Sequence, residues 1–322
     1  MTALLEVREL VKTYTDKRGR RVSAVDGVNL DLAQGEVLGI VGESGCGKTT
    51  LGRTILRLMA PDAGTIRFEG TDIAQLPERR LKPFRREMQM IFQDPFGSLN
   101  PRHRVGTIVG EPLAIHGHGD GAKRVAELLE TVGLGAAAAS RFPHEFSGGQ
   151  RQRIAIARAL ALGPKLIVAD EPVSALDVSI QSQIINLIAD LRRRLHLSML
   201  FITHDLSVVR HVSDRIAVMY LGRIVESGAT EAIFAKPRHP DPQALISAIP
   251  RPPTAAKTAS SRIVLKGEIP DPADPPPGCR FHRRCPIATE ICARAVPELK
   301  MQADRLVACH HALSDAPPAQ TR

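Results

Sequence analysis

The stretch Gly42-Glu43-Ser44-Gly45-Cys46-Gly47-Lys48-Thr49-Thr50 carries the spacing G-x-x-x-x-G-K-[ST] of a phosphate-binding loop. Its glycines let the main chain wrap an anion without Cβ clashes. Successive N–H groups then face the phosphates, together with the N-terminus of the helix that the pattern predicts from Lys48 to Leu58. In such a loop the lysine, here Lys48, reaches the β- and γ-phosphates, and Thr49 offers its hydroxyl to Mg²⁺. A glycine-rich turn without function is the alternative. The context opposes it, because Glu36 to Val41 reads as a buried strand leading into the loop and a helical pattern leads out.

Outward from the loop, strand-like and helical patterns alternate through the first 235 residues. Val28, Leu30 and Leu32 alternate with polar neighbours, as on a half-buried strand. Val125, Leu128, Leu129 and Val132 form a helical stripe. A further helix is predicted from Gln150 to Leu162, stopped by Gly163-Pro164, and a long amphipathic one from Ser179 to Leu195. Leu166 to Ala169 and Met199 to Thr203 read as buried strands. Strands alternating with helices imply an α/β fold on a largely parallel sheet.

Two further stretches carry chemistry. The strand from Leu166 delivers Asp170 and Glu171 at its C-terminal end, where ligands bind in open α/β sheets. Asp170 suits Mg²⁺, and Glu171 suits a general base acting on water. Phe146-Ser147-Gly148-Gly149-Gln150 opens a helix and makes a second anion-binding N-terminus.

Composition bounds the class. The chain has 322 residues, 43% hydrophobic and 24% charged, the profile of a folded protein in water. No apolar run reaches the length of a membrane span, and the N-terminus lacks the pattern of a secretion signal, so a cytosolic location is expected. The formal charge of +9 is spread along the chain without long blocks of one sign. It reads as solvated surface, with contact to lipid headgroups as the alternative. After Lys236 the composition shifts: Pro250 to Pro253, Ala255 to Ser261 and Pro270 to Pro277 have linker chemistry, and Pro317 to Arg322 reads as a frayed tail.

Taken together, Lys48, Asp170, Glu171 and Ser147 to Gln150 resemble the nucleotide-binding domain of ABC ATPases, and the likeness runs from residue 4 to 235. It implies a P-loop NTPase fold with a helical subdomain that carries the Ser147-Gly148-Gly149-Gln150 signature. It also implies an ATP sandwich, in which the signature of one subunit closes on the γ-phosphate held by the P-loop of another. By the same resemblance Tyr14 stacks on adenine, and Gln93 contacts Mg²⁺ and water in a loop that touches the membrane partner. Asp177 belongs to a loop crossing the dimer interface, and His204 hydrogen-bonds the γ-phosphate. The implied Mg²⁺ ligands are Thr49, Gln93 and Asp170.

Finer phrases, at residues 41–53, 90–102 and 171–184, resemble the F-type ATP-binding subunits of dipeptide and oligopeptide importers. Residues 1–236 are expected to form the ATPase domain and 237–322 a small cysteine-containing extension of that family, with a short helix from Gln243 to Ile249. Asp241 departs from the family's usual tyrosine. The implied partners are a paralogous ATPase, two membrane permeases and a periplasmic or extracellular solute-binding protein, with no nucleic acid. The implied place is the cytoplasmic side of the cell membrane, as a peripheral subunit. A nickel or other small-solute importer, and a soluble ABC ATPase, stay open as alternatives. Cys279, Cys285, Cys292 and Cys309 follow the spacing C-x5-C-x6-C-x16-C. Four thiolates can hold a [4Fe–4S] cluster or zinc, or stand as free or disulfide-linked thiols. Related subunits have cysteines here that look suited to a cluster.

Overall fold

Val37–Val41 is buried at every residue, as a strand must be when helices cover both faces of its sheet. In the computed structural model, which describes residues 3–117, 121–249 and 263–313, this strand sits inside the main sheet. The strands, in chain order, are β1 (Ala3–Thr15), β2 (Arg21–Ala33), β3 (Val37–Val41), β4 (Ala63–Phe68), β5 (Thr71–Asp72) and β6 (Met88–Ile91). They continue with β7 (Leu166–Asp170), β8 (Ser198–Ile202), β9 (Arg215–Tyr220), β10 (Arg223–Ala229), β11 (Lys300–Gln302) and β12 (Arg305–Val307). The main sheet has eight strands in the order β11-β12-β10-β9-β3-β8-β7-β6.

The strands β9, β3, β8, β7 and β6 are parallel, as the alternation of strands and helices predicts. Two features depart from a largely parallel fold. β10 turns back antiparallel on β9, and β12 and β11 extend the sheet in the same manner. A separate antiparallel sheet, β2-β1-β4-β5, is built from the first 72 residues. Short loops such as Leu221-Gly222 permit hairpins where a parallel crossover would need a dozen residues or more.

The helix Lys48–Ile55 lies between the two sheets. Its Leu51 and Ile55 pack in one core with Leu5, Leu10 and Leu32 of the antiparallel sheet and Val168 and Ile202 of the main one. Another core joins the helices Val105–Ile115, Gly121–Thr131 and Gly148–Leu160 into a helical subdomain, with Ile108, Leu128, Leu129 and Ile154 inside.

A third core binds the C-terminal extension to the main sheet: Phe281 packs with Val218 and Tyr220, and Leu245, Cys279 and Cys285 lie against it. The helix expected from Gln243 starts earlier, at Pro240, and runs to Ser247. Proline suits a first helical position, and His239 caps the helix by accepting from Asp241 N–H at 3.0 Å. Among the linker and tail stretches, 250–253, 255–261 and 317–322 lie outside the described residues, whereas 270–277 is irregular chain.

Candidate functional site

β3 ends at Val41, and the chain then curls through the glycine-rich loop into the helix Lys48–Ile55. The curl depends on Gly47, whose φ of 106° suits glycine. A Cβ there would stand 1.9 Å from the carbonyl oxygen of Ala24. Gly47 occupies the N-cap position and has no side chain to satisfy the helix's first N–H groups, which leaves them available to an anion. Lys48 is buried, and its ammonium donates to the carbonyls of Gly42 and Glu43 at 2.9 Å each.

Above this loop opens a cavity of about 920 Å³. Tyr14, Ser44, Gly45, Gly47, Lys48, Thr49, Thr50, Gln93, Glu171 and His204 all face it, from stretches spread over almost two hundred residues. Gly42, Glu43 and Cys46 belong to the same loop but do not line the cavity. Cys46 is buried in the core between the sheets, where burial pushes its thiol up, and Glu43 pairs with Arg284. The Tyr14 hydroxyl reaches Met59 Sδ at 3.1 Å and Thr50 Oγ1 at 3.5 Å, so the phenol edge is anchored at the loop's helix.

β7 ends in two carboxylates with different surroundings: Glu171 faces the cavity, and Asp170 is buried beneath it against Thr49. Asp170 Oδ1 accepts from the Thr49 hydroxyl at 2.8 Å, while Asp170 Oδ2 is buried with no hydrogen-bond partner among the described residues. Burial raises the Asp170 carboxyl, against the pull of the Thr49 hydrogen bond and the Arg53 charge. The Thr49 hydroxyl and the two Asp170 carboxylate oxygens are hard ligands, one carboxylate oxygen lacks a partner, and this donor set suits Mg²⁺. Glu171 lies one residue on, at a φ of 45° that is uncommon for a non-glycine residue. Its two oxygens separate their partners: Gln93 Nε2 donates to Oε2 at 3.1 Å, and His204 Nδ1 stands 3.1 Å from Oε1. Gln93 follows β6, Glu171 follows β7 and His204 follows β8, so three neighbouring parallel strands converge at one point.

Ser147, Gly148, Gly149 and Gln150 do not line this cavity. They open the helix Gly148–Leu160, and their polar groups satisfy one another: Gln150 N–H donates to Ser147 Oγ at 3.3 Å, and Ser147 N–H to Gln150 Oε1 at 3.0 Å. Gly149 permits close packing, since a Cβ there would lie 2.4 Å from Ile180 Cγ2. Asp177 also stands away from the cavity, at the N-cap of the helix Val178–Leu195 without a side-chain capping bond. Sequence patterns did not single out Ala24 and Asp94, which face the cavity as well. Ala24 carries no local signal, and Asp94 reads as the cap of the short helix Pro95–Ser98.

The four late cysteines come together but do not form a single-ion site. Cys279 N–H donates to the Cys292 carbonyl at 2.8 Å, and all four are free thiols. Burial pushes Cys309 up to about 11, with Cys285, Cys279 and Cys292 adding to the rise. Among the described residues no group of three His, Cys, Asp or Glu side chains could hold a metal ion. Nor is any helix of the described residues long and apolar enough to cross a membrane.

Comparison with known proteins gives the same frame. Residues 25–174 match the family model described as ABC transporter, and residues 225–292 match that of the oligopeptide/dipeptide transporter, C-terminal region. The oligopeptide transport ATP-binding protein AppF of Bacillus subtilis (strain 168) is 52% identical over 318 residues, which cover 95% of this chain and 97% of AppF. A putative peptide import ATP-binding protein of Brucella ovis is 54% identical over 302 residues, covering 93% of this chain and 94% of its own. Among solved structures, a dimeric post-hydrolysis state of the ATP-binding cassette MJ0796 bound to ADP and Pi superposes with a TM-score of 0.64 at 31% identity, covering 70% of this chain and 98% of that one. CbiO1 from Clostridium perfringens, part of the CbiONQ ABC transporter complex, gives a TM-score of 0.65 at 29% identity, covering 73% and 92%. With half of all positions shared over nearly the whole of both chains, the chain belongs to the ATP-binding subunits of ABC transporters and carries the C-terminal region of their oligopeptide/dipeptide branch.

Proposed function

We propose that this chain hydrolyses ATP to drive import of di- or oligopeptides, as a peripheral subunit on the cytoplasmic side of a membrane. The observation that carries the ATPase reading is the convergence of Lys48, the Thr49–Asp170 pair and Glu171, flanked by Gln93 and His204, on one cavity. The peptide reading rests on the C-terminal region at 225–292 and on relatives named for peptide transport. Residues 1–236 act as the ATPase unit and 237–322 as an extension that completes its sheet through β11 and β12.

ATP lies with its adenine against Tyr14 and its phosphates in the curl from Gly42 to Thr50. Lys48 neutralises charge that develops between the β- and γ-phosphates. Mg²⁺ held by Thr49 and Asp170, with Gln93 at the rim, would supply further charge neutralisation on the phosphate oxygens. Glu171 takes the proton of the attacking water, and its bond to His204 orients the histidine toward the γ-phosphate. Ser147 and Gly149 act in trans, closing on the phosphate held by a paralogous ATPase, while Asp177 lies at the dimer seam. Gln93 passes closure to one of two membrane permeases, which receive solute from a binding protein outside the membrane.

For the four cysteines, a [4Fe–4S] cluster is our reading ahead of zinc. A cubane spreads its cysteine sulfurs more widely than one tetrahedral ion does. The support is that four thiols gather in one region, with Cys279 N–H donating to the Cys292 carbonyl. Iron and sulfide content and broad visible absorption of anaerobically purified protein test it; a colourless, zinc-loaded or metal-free protein overturns it. The transport reading is tested by ATPase activity of the assembled transporter with binding protein. Stimulation by peptides and not by nickel is expected, and the converse result overturns the substrate class.

A further inference from the structure

The Glu43 side chain does not line the cavity. It turns behind the loop and meets Arg284, which lies 241 residues further on in the C-terminal extension. Arg284 Nη1 donates to Oε2 at 2.6 Å and Nη2 to Oε1 at 2.9 Å, a two-pronged pairing that matches guanidinium to carboxylate. Both side chains are largely shielded, with 9% and 21% exposed. The same Glu43 gives its carbonyl to the Lys48 ammonium at 2.9 Å. One residue therefore links the extension to the lysine of the cradle.

A second hold runs parallel to the first. Arg280 donates to the Leu221 carbonyl and to Asp26, while the next residue, Gly222, donates its N–H to the Cys46 carbonyl at 2.8 Å. Both arginines stand in the segment from Cys279 to Cys285. Phe281, between them, is buried edge-on against the Tyr220 ring, with centroids 5.2 Å apart. The segment is anchored in the core; Arg284 reaches the loop directly, and Arg280 holds the Leu221-Gly222 turn that bonds to it.

We propose that Arg284 is a positioning residue for ATP binding, acting through Glu43 on Lys48, so that the C-terminal extension completes the nucleotide cradle. The proposal rests on the ATP-binding reading of the cavity. Two effects act together. The paired fork fixes the second residue of the loop, and it neutralises a carboxylate that would otherwise repel a triphosphate bound at Lys48, five residues along the chain. An ion pair serving only to join the extension to the ATPase unit would influence stability without selecting nucleotide affinity.

The experiment measures displacement of a fluorescent ATP analogue by Mg-ATP on the full-length chain, with melting curves as a check on folding. Arg284→Ala is expected to raise the Kd for ATP about tenfold, because an unpaired charge then stays beside the loop. Adding Glu43→Gln to that variant should recover part of the loss, since the repelling charge is gone. In the assembled transporter, Arg284→Ala should raise KM for ATP while kcat stays within about twofold. Wild-type affinity in Arg284→Ala, or a loss that Glu43→Gln does not relieve, overturns the proposal. If Arg284→Ala fails to fold, Arg284→Lys decides, since it keeps the charge and loses the fork: a raised Kd supports positioning, and an unchanged one overturns it. A wild-type chain that binds no ATP would instead sink the ATPase reading itself.

Discussion

The chain contains two helix N-termini suited to anions, and their states differ. At Lys48–Ile55 the cap is Gly47, with no side chain, and the first N–H groups are open beneath a cavity. At Gly148–Leu160 the cap is Ser147, and Ser147 and Gln150 satisfy each other in a closed box. The first helix gathers a lysine, a threonine and two carboxylates from its own chain, whereas the second gathers none of these. One end is thus assembled within a single chain, and the other is closed on itself; under the proposed function it acts on a nucleotide held by a second subunit.

That contrast can be broken most sharply at Glu171. Glu171→Gln keeps the bulk and a hydrogen-bonding amide but removes the base; ATPase turnover of the assembled transporter should fall about a hundredfold or more, with nucleotide still bound. Unchanged turnover would mean that the open end does not do the chemistry. Lys48→Ala strips the open end of its charge, so ATP affinity of the isolated chain should drop by about ten- to a hundredfold in a binding titration.

Each region also buries a polar side chain without a partner among the described residues. Asp241 lies behind the phosphate loop, and Gln152 lies in the helix that Ser147 caps. Burial pushes the Asp241 carboxyl up to about 7, helped by the Glu43 charge and opposed by Arg284. A folded-state value raised above the ordinary 3.8 means that stability is fully present at low pH and is lost as pH rises toward 7. Asp241→Asn should therefore melt like wild type near pH 4 and be more stable by on the order of a few kcal/mol at pH 8. A pH-independent difference between the two melting curves would contradict this account. The smallest effect is expected at the closed end. Ser147→Ala should cost about 1 kcal/mol in unfolding experiments and leave ATP binding by the isolated chain unchanged. Weakened binding in the isolated chain would show that the two ends meet within one molecule.

Much of the site was legible in the sequence because its geometry is local. Gly42 to Thr50 specify a curl and a helix start through glycine conformations and one lysine, all within nine residues. The strand before Asp170 is legible for the same reason, since an apolar run followed by two acids needs no distant information. The antiparallel sheet of β1, β2, β4 and β5 was harder. Alternation marks a strand, as at Val28, Leu30 and Leu32, but says nothing about which strand pairs with it. For the cysteines, spacing gave four candidate ligands, while whether three of them gather about one ion depends on the folded arrangement, and among the described residues none do.

By itself, the sequence determined that a phosphate loop, an acid-bearing strand and a serine-capped helix exist, because each follows from backbone preferences over a few neighbouring residues. Only the tertiary structure decided that Gln93 and His204 share the two oxygens of Glu171, and that Arg284 reaches Glu43 across 241 positions. Those pairings depend on the order of β6, β7 and β8 and on the packing of Phe281 against the sheet. Contacts between distant residues are fixed by the whole core, and no short stretch of chain encodes them.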